Sequence, residues 1–303
     1  MDIVEAYSRV GKNGWKVLSS IFRRMWDFEF VPSELIAKDT GLPEEKVEVI
    51  LRGLAGDGIV TVKQLSYLGA AFTFFGLSLY SLRRLVRKGE ISMIGSKMGE
   101  GKESLVYNAM SEKYGEVIVK FHRVGYPSFK RVKEKRDYGT LHFTVLTVRS
   151  ARNEFRALRK LAGFVSVPKP YAWEGNAVVM ELIDARELFR VRLSNPSDVL
   201  EIILEEVRAM YTRGVVHGDL SQYNILVSEE GVWIIDFPQA VILEEESEEY
   251  SSLSFSELKK LADEMLRRDL KNILDYFRRS YGIEKDSEEA LKFVTSRKPE
   301  IGK

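Results

Sequence analysis

The stretch "VVHGDLSQYNILVSEEGVWIIDFPQA", residues 215–240, decides how the rest of the chain is read. It sets His217, Asp219, Asn224 and Asp236 inside a run that otherwise reads as short apolar strands. Asp219 and Asn224 stand five positions apart on an expected loop, "NILV" reads as a strand, and Asp236 ends the strand "VWIID". Antiparallel pairing of those strands would bring Asn224 and Asp236 to one mouth. An amide oxygen beside a carboxylate is a hard oxygen pair, suited to Mg²⁺ (or Mn²⁺) bound to phosphate. Asp219 would then stand where a nucleophile meets a transferring phosphoryl group. As a general base it would contribute roughly 10²–10⁴ in rate.

Upstream residues fit the same chemistry. "VIVK" ends a strand at Lys120, and "RNEF" sets Glu154 on a helix 34 positions later. A lysine at a strand end is often a solvent-facing exit; paired with a helix glutamate it becomes a positioned cation for α- and β-phosphates. "GEGKES", residues 99–104, lies between two expected strands. Alone it reads as a hairpin turn; about 20 residues before that lysine it reads as a turn covering phosphates. Gly99 and Gly101 would let the backbone approach, Lys102 adds charge, and Ser104 stands where a third glycine would, with a hydroxyl and an N–H to donate. Lys120, Glu154, Asp219, Asn224 and Asp236 in this order form the protein-kinase signature with altered letters, a site for ATP and Mg²⁺.

Composition sets the frame. The chain has 303 residues, enough for about two domains. Hydrophobic residues make up 45% and charged residues 30%, and there is no cysteine, which excludes disulfides and thiolate chemistry. No run of about 18 apolar residues and no signal-peptide layout is present, so a cytoplasmic protein without a membrane span is expected. The net charge is +1, so charge is local. "FKRVKEKRDYG" (129–139) has five basic residues against two acidic, and "EEESEE" (244–249) has five glutamates. Each reads as a solvated run, but the first falls in a long aperiodic segment between strand and helix, where a loop contacting RNA or gating the site is expected.

Residues 1–84 read as a winged helix-turn-helix, 85–92 as a linker, and 93–303 as a second domain. "NGWKVLSSIFRRMWDF" puts Trp15, Leu18, Ile21, Phe22 and Met25 on one helical face. "PSELIAKDTGLPEEKVEVILRGLAGDGIV" reads as helix, turn, helix, with Pro32 and Pro43 opening helices and Gly41 in the turn. A two-stranded wing follows. The second helix shows Glu44, Glu45 and Glu48 outward, which repel phosphate, so sequence-specific reading of DNA is not expected. Basic residues cluster instead at Lys12, Lys16, Arg23 and Arg24, and at Arg83, Arg84, Arg87 and Lys88. "ISMIGSKMGEGKESLVYNAMSEKYGEVIVKFHRV" reads as a strand meander, followed by a helix at 150–163, two strands, a helix from Pro196, the opening stretch and an amphipathic helix at about 254–281. That order gives an α+β, two-lobed domain, N-lobe about 93–180 and C-lobe about 184–285, with a tail at 286–303.

On "GEGKESLVYN", "VIVKFH", "RNEFRAL", "MELID", "HGDLSQYNILV" and "IDFPQ" the chain resembles the RIO family of atypical serine/threonine kinases. The winged helix ahead of them and "YGTLHFTVLTVRSARNEFRAL" resemble its Rio-two branch, and the high charge without cysteine suits an archaeal member. The resemblance implies a truncated, bilobal kinase-like fold, Asp219 as catalytic-loop acid, and Asn224 and Asp236 as metal ligands. It also implies Ser104 and Lys120 on the phosphates, Glu154 orienting Lys120, Met180 lining the adenine pocket, and the backbone of Glu181 and Ile183 holding the base. It further implies phosphoryl transfer to Asp236 in the manner of an aspartyl-phosphate ATPase, autophosphorylation with Ser128 as a candidate, and a monomer acting on the small ribosomal subunit precursor and its rRNA.

Departures from ordinary protein kinases carry their own readings. Gly218 replaces the arginine of H-R-D, which argues against a phosphorylated activation-loop switch. Pro238 replaces the glycine of D-F-G; without an N–H, and restricting Phe237, it disfavours a flip of Asp236. Only 67 residues follow Asp236, too few for the usual peptide-docking lobe, which favours ATP turnover as a conformational switch. Two other readings compete: a small-molecule phosphotransferase of the aminoglycoside or choline type, which shares "HGDL", and a winged-helix nucleic-acid binder with an inert kinase-like half.

Overall fold

The structure is a computed structural model and describes residues 2–101, 103–123, 142–243 and 253–296. Lys102, Ser128 with the basic run, and the glutamate run lie outside the described residues. The chain divides into two units, Met1–Arg152 with Tyr171–Val179, and Asn153–Pro170 with Met180–Lys303. The fold class is α+β, as expected.

The first unit opens with α1 (Ile3–Arg9), α2 (Lys12–Arg24), β1 (Val31–Pro32), α3 (Ser33–Thr40), α4 (Glu44–Gly56), β2 (Val60–Gln64) and β3 (Leu68–Phe72). The strands pair antiparallel in the order β1-β3-β2, which makes the wing. Trp15, Leu18, Ile21 and Met25 of α2 are buried with Ile36 and with Val47, Leu51 and Leu54 of α4, the faces that the three-and-four spacing foretells. Pro32 and Pro43 stand at the N-caps of α3 and α4, and Gly41 ends α3 at φ +68°. Arg24 grips Asp39 with two bonds, 2.8 and 2.6 Å, and Ser20 donates to the same carboxylate at 2.7 Å, which ties α2 to α3.

A helix that the sequence reading did not separate from the wing follows, α5 (Phe74–Arg87), so residues 85–87 of the expected linker are helical. Thr73 caps it, accepting from the Gly76 N–H at 2.9 Å and donating to the Gly58 carbonyl at 2.7 Å. Gly76 is required by packing: a Cβ there would lie 1.8 Å from the Ile59 carbonyl oxygen. Beyond it come β4 (Met93–Glu100), β5 (Ser104–Ser111), β6 (Gly115–His122), β7 (Pro170–Glu174) and β8 (Ala177–Glu181), in a five-stranded sheet ordered β4-β5-β6-β8-β7.

One face of α5 is fastened to that sheet by polar groups. Ser78, Ser81, Arg84 and Lys88 recur at three- and four-residue steps. The fully buried Asn176 side chain accepts from the Ser81 hydroxyl (2.8 Å) and donates to Ser78 Oγ (3.1 Å) and to the His122 carbonyl (2.9 Å). Arg84 and Lys88 both pair with Glu174. Every polar group of that amide has a partner, which makes a buried Asn tolerable.

Helix α6 (Phe143–Leu161) begins seven residues before the expected start at Ser150. The second unit then contains β9 (Arg186–Glu187), α7 (Pro196–Thr212), β10 (Val215–Val216), β11 (Ile225–Ser228), β12 (Gly231–Ile234), β13 (Val241–Ile242), α8 (Phe255–Tyr281) and α9 (Ser287–Thr295). Its strands form the sheet β12-β11-β9 and the pair β10-β13. Ser254 and Glu257 close a capping box on α8, and Gly282 ends it at φ +68°. The segment read as a tail from 286 holds α9, capped by Asp286, with Phe293 under the Arg208 guanidinium at 4.8 Å. Among the described residues no helix is long and apolar enough to cross a membrane.

Candidate active site

The hairpin β11-β12 pairs Ile225 with Ile234 antiparallel, and the Ile235 N–H donates to the Asn224 carbonyl at 3.0 Å. Asn224 and Asp236 therefore flank the open end of one hairpin, the arrangement that the apolar strands "NILV" and "VWIID" foretell. The Asn224 amide nitrogen donates to the Asp219 carbonyl at 2.8 Å. With Nδ2 engaged there, Oδ1 is the atom Asn224 can offer a cation, and together with the Asp236 carboxylate it makes a hard-oxygen donor set. Asp236 adopts φ +73° and is alone among the described non-glycine residues in having a positive φ. Such a conformation costs about 1–3 kcal/mol and persists where its surroundings enforce it.

Those surroundings are visible. Glu154 Oε1 accepts from the Phe237 N–H at 3.0 Å, and the neighbouring Asn153 donates through Nδ2 to the carbonyls of Pro238 (3.1 Å) and Ala240 (2.8 Å). Phe237 is fully buried, its ring 4.7 Å from that of His217. His217 in turn approaches the Ile235 carbonyl through Nε2 at 3.0 Å and accepts from the Asp219 N–H through Nδ1 at 3.3 Å. A donor at Nε2 and an acceptor at Nδ1 describe the neutral imidazole. Histidine here is a strut linking the Asp219 and Asp236 segments.

The Asp219 loop is held from beneath by α8. Asp269, buried, accepts from the Gly218 N–H at 2.7 Å and from the Leu220 N–H at 3.0 Å, so one carboxylate brackets Asp219 on both sides. Arg268 donates to the Gly218 carbonyl, and Asn272 donates to the Leu220 carbonyl at 3.2 Å. Burial pushes the Asp269 carboxyl up to about 7 against the pull of the two N–H donors and of Arg268. Gly218 has φ +80°, and a Cβ there would lie 2.7 Å from the Gln239 carbonyl, so the residue that replaces the usual arginine must be glycine. The sequence reading missed Asp269. Its signal was an acid on the apolar face of α8, between the buried Leu266 and Leu270 and in step with Ile273. No comparable signal marked Asn153.

Further along, Met180 is buried, and the Glu181 N–H donates to the Lys169 carbonyl at 2.9 Å while the Lys169 N–H donates to Glu181 Oε2 at 3.1 Å. The Ile183 carbonyl accepts from the Ala185 N–H at 3.0 Å.

In the first unit, Gly99 and Gly101 lie at the turn from β4 to β5, closed by the Gly101 N–H donating to the Ser104 carbonyl at 2.9 Å. Arg123 ties the turn to the end of β6, its N–H donating to the Glu103 carbonyl at 2.7 Å and its guanidinium to the Gly101 carbonyl at 3.1 Å. Ser104 faces His122 in the ladder and Val106 faces Lys120, which is buried. The geometry thus groups Gly99, Gly101, Ser104 and Lys120 on adjoining strands of one unit, and Glu154, Asp219, Asn224 and Asp236 in the other. Lys102 lies outside the described residues.

Known proteins share both halves of the sequence. The RIO domain family matches residues 105–290, and the Rio2 N-terminal family matches residues 7–88. The chain is 34% identical over 271 residues to the RIO-type serine/threonine-protein kinase Rio2 of Methanocaldococcus jannaschii, covering 86% of this chain and 94% of that protein. It is 33% identical over 235 residues to the RIO-type serine/threonine-protein kinase Rio1 of Haloferax volcanii, covering 73% and 76%. Its fold is similar to the crystal structure of the Rio2 kinase–ADP/Mg²⁺–phosphoaspartate complex from Chaetomium thermophilum, with a TM-score of 0.73, 26% identity, and coverage of 95% and 88%. Since the N-terminal family accompanies the RIO domain on one chain, this protein belongs to the Rio2 branch of the RIO-type serine/threonine-protein kinases.

Proposed function

We propose that the chain is a Mg-ATP-dependent RIO-type serine/threonine kinase and ATPase that serves maturation of the small ribosomal subunit in the cytoplasm. The observation that carries this reading is the joint geometry of residues 217–237. One hairpin and one clamped loop present a general-base carboxylate at Asp219, an amide oxygen at Asn224 and a carboxylate at Asp236 held at positive φ. Asn224 and Asp236 would hold Mg²⁺, which when bound neutralises charge on the phosphate oxygens. Asp219 orients and deprotonates the water that later attacks the acyl phosphate, and Lys120 and Ser104, with the Gly99–Gly101 turn, meet the phosphates. At the adenine, Met180 lines the pocket. The Glu181 N–H and the Ile183 carbonyl already have partners, so the Glu181 carbonyl and the Ile183 N–H are the groups to face the base.

The phosphoryl acceptor in this reading is Asp236: its carboxylate oxygen bonds to the γ-phosphorus, the β–γ bridge breaks, and ADP leaves. Water then releases phosphate and restores the carboxylate. The relative from Chaetomium thermophilum, crystallised as a phosphoaspartate complex, supports this choice. Membership of the Rio2 branch supports the small-subunit precursor and its rRNA as the partner of a monomeric enzyme, and autophosphorylation as a side activity.

The test is incubation with γ-labelled ATP and Mg²⁺. Protein-bound label that hydroxylamine removes, and that is lost in Asp236→Asn, is the expected result. Hydroxylamine-stable label on serine would show a protein kinase without the acyl-phosphate step and would remove Asp236 from the role of acceptor.

A further inference from the structure

Two glycines let the turn between β4 and β5 approach a ligand closely, and they also leave its backbone free to wander. Within the turn the Gly101 N–H closes on the Ser104 carbonyl at 2.9 Å, but the carbonyls of Gly101 and Glu103 are met from outside it. Both are met by one residue, Arg123, just past the end of β6. Its N–H donates to the Glu103 carbonyl at 2.7 Å, and its guanidinium donates to the Gly101 carbonyl at 3.1 Å. Glu100 stands 3.8 Å from the same guanidinium, with the two side chains 33% and 47% exposed, so solvent screens that pair. Arg123 follows His122, the ladder partner of Ser104, and stands three residues past Lys120. It adjoins each group proposed to meet the phosphates.

The guanidinium has a second support. It lies 5.2 Å from the centre of the Phe74 ring, and Phe74 is the first residue of α5. The wing fixes where that ring stands. Thr73 binds the Gly58 carbonyl and the Gly76 N–H, and Gly76 is packed tightly against Ile59, so the start of α5 cannot shift without breaking these contacts. An aromatic face beside a guanidinium holds its plane and leaves its N–H edge free to donate.

We propose that Arg123 is the positioning residue of the Gly99–Gly101 turn, and that Phe74 holds the guanidinium in place to do so. The proposal rests on the Mg-ATP reading above. With the Gly101 carbonyl held, the turn keeps the conformation that meets phosphate. Once it is released, that conformation is one of several, and affinity falls in proportion to its share. The loss belongs to the phosphates and not to the base, because the residues proposed for the adenine lie on other segments. A charged donor on a buried carbonyl is worth about tenfold or more; with Arg123 a third exposed, about fivefold is expected. A cation beside an aromatic face at an exposed site is worth about two- to fivefold.

The experiment is calorimetric titration of the full chain with ADP and Mg²⁺, and separately with adenosine, alongside KM and kcat for ATP turnover. Arg123→Met, which keeps the stem, should weaken ADP about fivefold and raise KM for ATP by a similar factor. Its kcat should stay within about twofold of wild type, and its affinity for adenosine should be unchanged. Phe74→Leu should weaken ADP about two- to threefold, whereas Phe74→Tyr, which keeps the ring, should match wild type. Adding Phe74→Leu to Arg123→Met should cost nothing more, because the ring then has no cation to hold. Equal losses for ADP and adenosine would reduce Arg123 to a structural residue and overturn the proposal. Unchanged ADP affinity in Arg123→Met would do the same, and full additivity in the double variant would remove Phe74 from it. A wild-type chain that neither binds ADP nor turns over ATP would defeat the Mg-ATP reading and the proposal with it; unaffected variants of an active wild type would defeat the proposal alone.

Discussion

Replacing Asp269 by asparagine tests whether the Asp219 loop owes its position to α8. The carboxylate accepts two backbone N–H groups, from Gly218 and Leu220, one on each oxygen. Asparagine has one oxygen, so one of the two N–H groups would face another donor. An orphaned buried N–H costs about 1–3 kcal/mol, and Asp269→Asn should lower unfolding stability by that amount. Arg268 and Asn272 still hold the Gly218 and Leu220 carbonyls, so the loop keeps two of its four tethers whole and the protein folds. Asp219 lies between the two lost or weakened contacts. Misplacing a reacting group by about 1 Å can cost about 10²-fold, equivalent to about 2.7 kcal/mol of barrier. The expected outcome is a kcat for ATP turnover down by about two orders of magnitude with KM for ATP nearly unchanged, since Met180, Glu181 and Ile183, the residues proposed for the adenine, do not touch this loop's tethers. Phosphate release and urea unfolding on the same preparations give both numbers. A variant that loses stability but turns over ATP within twofold of wild type would refute the positioning role. Asp269→Ala orphans both N–H groups, for about 2–6 kcal/mol, and should be recovered poorly.

Other expectations are more compact. Because burial raises the Asp269 carboxyl from 3.8 to about 7, the native chain holds a proton there that the unfolded chain has released over that window. The stability advantage of wild type over Asp269→Asn should therefore be largest at and below about pH 4, shrink as pH rises, and level off above about 7; the opposite trend in pH-dependent unfolding would show that the N–H bonds dominate. Asp236→Ala should abolish Mg-dependent turnover while leaving binding of a fluorescent adenine nucleotide within a few-fold, and normal hydrolysis would remove Asp236 from the site. Gly76→Ala, which forces a Cβ against the Ile59 carbonyl at 1.8 Å, should lower stability by roughly 3 kcal/mol, read as a thermal shift of roughly 6–12 °C; an unshifted melt would mean that α5 can slide on the wing.

The parts of the molecule that were legible in the sequence are those whose pattern has a local cause. The strands 225–228 and 231–234 are apolar and bounded by polar turns, so the convergence of Asn224 and Asp236 followed from pairing alone. The helix faces at 12–24 and 44–56 followed from their spacing. What escaped depends on distant partners. The segment "FTVLTVR" before Ser150 is rich in β-branched residues, yet it is helical because Val145, Leu146 and Val148 find burial there. Helix 74–87 follows the wing directly, and its aromatic opening "FFGLSLY" continues the strand composition, so nothing short of the Thr73 cap and the Ile59 contact marks its start. Asp269 and Asn153 act through backbone groups 49 and more residues away, and spacing carries no trace of such a bond.

The buried amide of Asn176 gives α5 a second meaning. The same helix that begins at Phe74 is fixed through Ser78 and Ser81 to Asn176, and through it to the carbonyl of His122, two residues beyond Lys120. Helix α5 and the strand of Lys120 are thus parts of one frame, joined through a buried amide. Thermodynamic reciprocity then governs both ends of the frame. If a ligand held against α5 alters the affinity for ATP, ATP must alter the affinity for that ligand by the same factor.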